Sequence, residues 1–157
     1  WGFGLDTSDK VRKASKNLEF LAAKNIKLLM DNFLNVDPEE PKFKSVKVIM
    51  IYANCSKSAI TSPVQFIVSE GEDMRFLGDL SKADQGLSNV SNLMIEHEKV
   101  LKHALRFPRV QAVVYVTRSL HEAENELVVT KVLDYVRVSN SNRGVPFRVT
   151  PPVLPSA

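Results

Sequence analysis

A single cysteine, Cys55, stands in a chain of 157 residues, and that scarcity excludes two things at once. No internal disulfide can form, and no thiolate-rich metal site can assemble. Histidines are equally sparse: His97, His103 and His121 share no spacing that would set two of them on one helix face. A zinc site is therefore not expected, nor is any other metal or cofactor. Long apolar runs are missing too. None exceeds VKVIMIYA (46–53), far short of a bilayer span, so no membrane partner is expected. The opening WGFGLDTSDKVRK lacks the apolar core of a secretory signal and has no initiating Met, which suggests an excised domain or a processed chain. Cysteine usage of this kind fits an intracellular location, cytoplasmic or nuclear.

What is present is ordinary for a packed globular protein. Hydrophobic residues make up 44% and charged residues 25%, enough apolar material to build a core and too much for a disordered chain. The length predicts one α/β domain over 1–157. A net charge of +3 is a weak bias towards anionic partners.

The periodicities give an order of elements. Thr7 or Ser8 opens a helix predicted to reach Asn35, with Leu18, Ala22, Ile26, Leu29 and Phe33 as its buried stripe. Residues 1–36 thus form an N-terminal helix, and 37–45, interrupted by Pro38 and Pro41, a linker. The core spans 46–138. Within it VKVIMIYA (46–53), PVQFIVS (63–69) and MRFLGDL (74–80) are predicted strands, the last following a Glu70–Asp73 turn. A second helix starts at Ser81 or Ser88 and runs to Phe107 before Pro108, presenting Leu87, Val90, Met94, His97, Leu101 and Ala104 or Leu105. VQAVVYVT (110–117) is apolar almost throughout, as a strand covered on both faces would be. Ser119 and Glu122 make a capping box for a third helix to Val138, which buries Ala123, Leu127, Val128, Val132, Tyr135 and Val136. Residues 139–157 are a loop, an edge strand at VPFRV and a Pro-rich tail. The fold class is α/β: a single mixed sheet of four to five strands with helices on its faces, in the order α-β-β-β-α-β-α-(β).

From Val46 to Val138 this order resembles the ribonuclease H-like fold, which implies carboxylates at the end of the first strand, on the helix and at the end of the fourth strand to hold two metal ions. Here Ala53 and Asn54 follow IMIY, the helix offers Glu96 and Glu98, and VYVTRS places Arg118 where the third acid belongs. With the first helix included, the order also resembles the PD-(D/E)xK nuclease core. Asp73, Asp79 and Lys82 are the nearest residues to that motif, with one residue too many between Asp79 and Lys82. Both resemblances imply a metal-dependent nuclease with a degenerate or atypical site.

The remaining residues supply few groups for chemistry. His97 lies on an apolar helical stripe, where a half-buried ring bonded to a backbone carbonyl is expected. Cys55 has no His partner nearby in sequence and reads as inert. Gly2 and Gly4 follow no strand and precede no Lys-Ser/Thr, so they are no phosphate loop. Basic residues are better organised: Lys99, Lys102, Arg106 and Arg109 recur along the second helix, Arg118 ends a strand, and Lys13, Lys16, Lys24 and Lys27 recur along the first. The former set suits nucleic-acid phosphates. The latter, with Pro152 and Pro155 of the tail, suits contacts with other protein subunits. With no set of cooperating ionisable groups at the strand ends, no catalytic residues are assigned. The leading expectation is a non-catalytic interaction or scaffolding module of a larger protein or assembly. A nucleic-acid-binding domain and the metal-dependent nuclease are the alternatives.

Overall fold

The computed structural model describes residues 1–5, 7–70, 87–139 and 146–151, with the backbone alone at 70 and 87–89. The chain divides into two compact units, Trp1–Val46 with Arg106–Arg109, and Lys47–Leu105 with Val110–Ala157.

In the first unit the helix α1 spans Ser8–Phe20, with the Thr7 hydroxyl accepting from the Lys10 amide at 3.4 Å. It ends far short of Asn35. Ala22 turns into the left-handed region at φ 52°, and the amides of Ala22 and Ala23 close back on the carbonyls of Glu19 and Leu18. Chain after this turn runs beside the N-terminus instead: the Gly2 amide donates to Lys27 O at 2.8 Å and the Leu29 amide to Gly2 O at 2.9 Å. A Cβ at Gly2 would lie 3.1 Å from Leu28 Cδ2, so a larger residue there would require the Leu28 side chain to shift by a few tenths of an ångström. Aromatic rings supply the packing that α1 does not, since α1 buries none of its residues. Phe3 meets Phe33 edge-on at 5.7 Å, Trp1 meets Phe43 at 5.3 Å, and Phe33 stacks on Phe107 at 5.8 Å. Phe43 is buried, as is Pro38 in the turn before it.

The second unit is built on two strands, β1 (Val48–Tyr52) and β2 (Ala112–Val116), paired in parallel with Val48 opposite Ala112 and Tyr52 opposite Val116. Both are rich in β-branched residues, which suit a pleated surface. Three further helices are among the described residues: α2 (Pro63–Glu70), α3 (Leu87–Ala104) and α4 (Glu126–Ser139), the last preceded by a short 3-10 turn at Glu122–Glu124. Leu93, His97 and Leu101 of α3 and Val128, Val132 and Val136 of α4 are buried, each trio at four-residue spacing so that its members share one face.

The fold class is α/β, as expected, but the sheet of four to five strands is corrected to two parallel strands among the described residues. PVQFIVS is helix α2 rather than a strand. Ser62 and Pro63 explain why: Pro is pre-set for the first helical position, and the Phe66 amide bonds back to Ser62 O at 3.0 Å. Residues 146–149 of VPFRV lie outside any strand, while MRFLGDL and the preceding turn fall outside the described residues. Neither the ribonuclease H-like order nor the PD-(D/E)xK order survives these changes. The expectation that 110–117 is covered on both faces also fails, because Val114 is 44% exposed and, opposite, Val48, Met50 and Tyr52 are 60%, 67% and 59% exposed. Among the described residues no helix is long and apolar enough to cross a membrane.

Candidate functional site

Parallel pairing brings the carboxyl ends of β1 and β2 side by side, the position where open α/β sheets take their ligands. The segment after β1 reads Ala53-Asn54-Cys55-Ser56-Lys57-Ser58, and that after β2 reads Thr117-Arg118-Ser119-Leu120-His121. Pairing continues past the strands, with the Ala53 amide donating to Val116 O at 3.0 Å. Lys57 then takes φ 59°, which turns the first segment back on itself.

Glu124 ties the two segments together. Its side chain is fully buried, and one carboxylate oxygen accepts from the Ser56 amide at 2.8 Å while the other accepts from the hydroxyls of Ser56 and Ser119, each at 2.5 Å. Burial works against its charge, yet the hydrogen bonds from Ser119 and Ser56, with the proximity of His97, prevail and hold the carboxyl below its ordinary range. Ser58 extends the cluster: its hydroxyl lies 3.2 Å from those of Ser56 and Ser119 and accepts from the Leu120 amide at 2.9 Å.

A second set of bonds lies beneath the first. His97 of α3 donates from Nε2 to Asn54 O at 2.7 Å, and its Nδ1 lies 2.8 Å from the Tyr115 hydroxyl. That hydroxyl donates to Glu124 O at 2.6 Å. Burial, then the charge of Glu124, pushes the Tyr115 phenol well above its ordinary range, so it stays protonated as a donor. Asn125 donates to Ser119 O at 2.8 Å and accepts from Thr117. His97 therefore meets the expectation of a ring bonded to a backbone carbonyl.

This wiring limits the chemistry. Ser56 and Ser119 each donate their hydroxyl proton to the Glu124 carboxylate and lie 3.0 Å apart; that carboxylate, held below its ordinary range, is a weak base for activating either. Groups at the rim are Cys55, whose Sγ accepts from the Arg118 amide at 3.1 Å, and Arg118, whose guanidinium lies 4.6 Å from the Phe66 ring centre and 5.4 Å from that of Tyr52.

Among the described residues no group of three His, Cys, Asp or Glu could hold a metal ion. Glu96 is exposed, and Glu98 binds Lys102 at 2.6 Å and Lys131 at 2.7 Å, bonds that hold its carboxyl below the ordinary range. Asp73, Asp79 and Lys82 lie outside the described residues.

The structure distributes the basic residues rather than lining them up. Lys99 is exposed on α3, but Lys102 is taken by Glu98 and sits 3.8 Å from the Tyr135 ring centre. Arg106 and Arg109 are exposed and belong to the other compact unit. Lys13 and Lys16 are exposed on α1, whereas Lys24 and Lys27, also exposed, follow its end. Pro152 and Pro155 fall outside the described residues. Sequence reasoning missed Glu124, Ser56, Ser58 and Tyr115. Their signal was a group of serines after one strand, a serine after the other and an acid five residues beyond it.

No family model matches the chain. It is similar to NSUN7 of Mus musculus, 36% identical over 152 residues that cover 97% of this chain and 21% of that protein. Similarity to NSUN7 of Homo sapiens is 38% over 135 residues, 86% of this chain and 18% of that protein. The 25S rRNA (cytosine-C(5))-methyltransferase NSUN5 of Arabidopsis thaliana is 30% identical over 141 residues, 88% of this chain and 24% of that protein. The chain spans about a fifth of the length of the curated relatives it matches. These similarities overturn the non-catalytic interaction module and the nuclease alternative: the likeness is to proteins among which an RNA cytosine methyltransferase is named, at an identity that covers nearly all of this chain.

Proposed function

We propose that this chain is a segment of an RNA-modifying enzyme that methylates cytosine at C5, with ribosomal RNA as the substrate class. The observation that carries this reading is the 30% identity to the Arabidopsis 25S rRNA (cytosine-C(5))-methyltransferase across 88% of the chain. The parallel strand ends agree with it, since they form the rim where α/β enzymes work. In this reading Glu124 and its serines keep the two rim segments in register, and Cys55 and Arg118 face the reacting strand.

A methyl donor is required. Its ribose and charged groups call for an acid and a close backbone approach at a strand end, and 53–60 and 117–121 contain neither an acid nor a glycine. The donor's site is therefore not assigned to these residues. Lys99 and Arg118 in the second unit and, separately, Arg106 and Arg109 in the first are the proposed phosphate contacts, Lys102 being bonded to Glu98. An intracellular location follows from a ribosomal RNA substrate.

The test is methyl transfer by the intact protein to ribosomal RNA, with a labelled donor and the product located as 5-methylcytosine. Incorporation at C5 of cytosine supports the reading. Label found only on another atom or on protein, or none with RNA that binds, overturns it.

A further inference from the structure

The rim carries an aromatic and guanidinium platform that the clamp around Glu124 does not use. Tyr52 closes β1 on the exposed face of the sheet, with 59% of its surface open. Arg118 lies beside it, its guanidinium 5.4 Å from the Tyr52 ring centre and 4.6 Å from that of Phe66 in α2. The root of Arg118 is fixed on both sides: its amide donates to Cys55 Sγ at 3.1 Å, and its carbonyl accepts from the Ala59 amide at 3.1 Å. A cation anchored in this way holds the Tyr52 ring by cation–π attraction while more than half of the Tyr52 surface stays open.

The rim beside this platform carries two cations, Lys57 and Arg118, and the nearest acid in sequence, exposed Glu122, lies just past its second segment. The rim segments 53–60 and 117–121 contain Lys57, Arg118 and His121 and no acid. The carboxylate that ties them together, Glu124, is fully buried and covered by the serines. A polyanion can therefore approach without meeting an exposed carboxylate of these two segments. A flat, open aromatic ring beside a guanidinium plane, at a basic rim, matches the chemistry by which proteins take unpaired RNA bases: stacking for the base, positive charge for the backbone.

We propose that Tyr52, held by Arg118, stacks one unpaired base of the RNA strand. This rests on the RNA-modifying reading and adds the contact through which the rim holds a single strand. Phe66 backs the guanidinium and does not itself touch the base.

The experiment uses the intact protein and a fluorescein-labelled oligocytidine RNA, with a duplex of mixed sequence as control. Tyr52→Ala is expected to weaken single-strand binding about 10-fold, the loss typical of one stacked base, while Tyr52→Phe binds within about twofold of the parent. Because no phosphate contact is lost, the slope of affinity against salt should be unchanged in Tyr52→Ala. Duplex binding should be unchanged as well. Since Tyr52 is exposed, the fold is expected to persist, and circular dichroism checks this. Single-strand affinity unaltered in a folded Tyr52→Ala protein overturns the stacking contact and leaves the RNA reading standing. A parent protein that binds no RNA overturns the RNA reading, and the stacking contact with it.

Discussion

Removing the buried carboxylate of Glu124 is the most demanding perturbation this architecture offers. Glu124→Ala leaves the Ser56 amide and the hydroxyls of Ser56 and Ser119 without their acceptor. The two hydroxyls already lie 3.0 Å apart and can satisfy one another in part, so the orphaned groups reduce to the amide and one hydroxyl. Each buried unsatisfied group costs about 1–3 kcal/mol. Relief from desolvating the carboxylate offsets some of this. The expected net loss is about 3 kcal/mol, a large share of the roughly 5–15 kcal/mol that stabilises a domain. Urea denaturation followed by circular dichroism measures it. A loss under about 1 kcal/mol would mean that the serine cluster closes by itself and that Glu124 does not hold the rim together. Acid titration gives an independent reading. The folded chain holds this carboxyl below its ordinary value of 4.5, so its contribution is complete above that pH and is lost as pH falls through the lower, folded value. Glu124→Gln should remove that part of the acid dependence and lower stability at neutral pH.

Three other predictions test the fold around the site. Ala22→Gly should stabilise the first unit by about 0.5–1 kcal/mol, because φ 52° strains any residue with a Cβ; a lowered melting temperature would count against the turn. Val132→Ala, at a position only 1% exposed, should cost about 2 kcal/mol in chemical denaturation from lost burial and the cavity left behind, and a cost near zero would place α4 elsewhere. Glu98→Gln removes the shared acceptor of Lys102 and Lys131 and should cost about 1 kcal/mol, shrinking in high salt; a salt-independent effect would refute an ionic tether.

Local pattern carried some elements and failed at others for identifiable reasons. The strands β1 and β2 and the helices α3 and α4 were legible because each has one strong period or a β-branched run with a clear stop, such as Pro108 after α3. PVQFIVS misled because its β-branched residues favour strand, while the opposing signal, Ser62 followed by Pro63 at a helix start, is only two residues long. The first helix was overextended because AAKNIK contains no breaker: the left-handed Ala22 and the pairing of Gly2 with 27–29 are decided by contacts remote in sequence. Periodicity therefore located what each element buries locally and could not see competition from another part of the chain.

The same limit explains the misreading of function. Searching for catalytic sets meant searching for ionisable groups near one another in sequence, whereas the rim is joined across the sheet, with Ser56 and Glu124 sixty-eight positions apart. Arg118 stands where a two-metal nuclease wants an acid, and a cation there would repel the metal ions. Beside Tyr52 and Phe66, the same guanidinium is the cation of the stacking contact proposed above. The acid that sequence reasoning sought at the strand ends is present nearby as Glu124, but its charge is spent on serines. An acid used in this way leaves Lys57 and Arg118 as the charges of the two rim segments, which suits the phosphates of the proposed RNA and offers no carboxylate to the two metal ions of a nuclease.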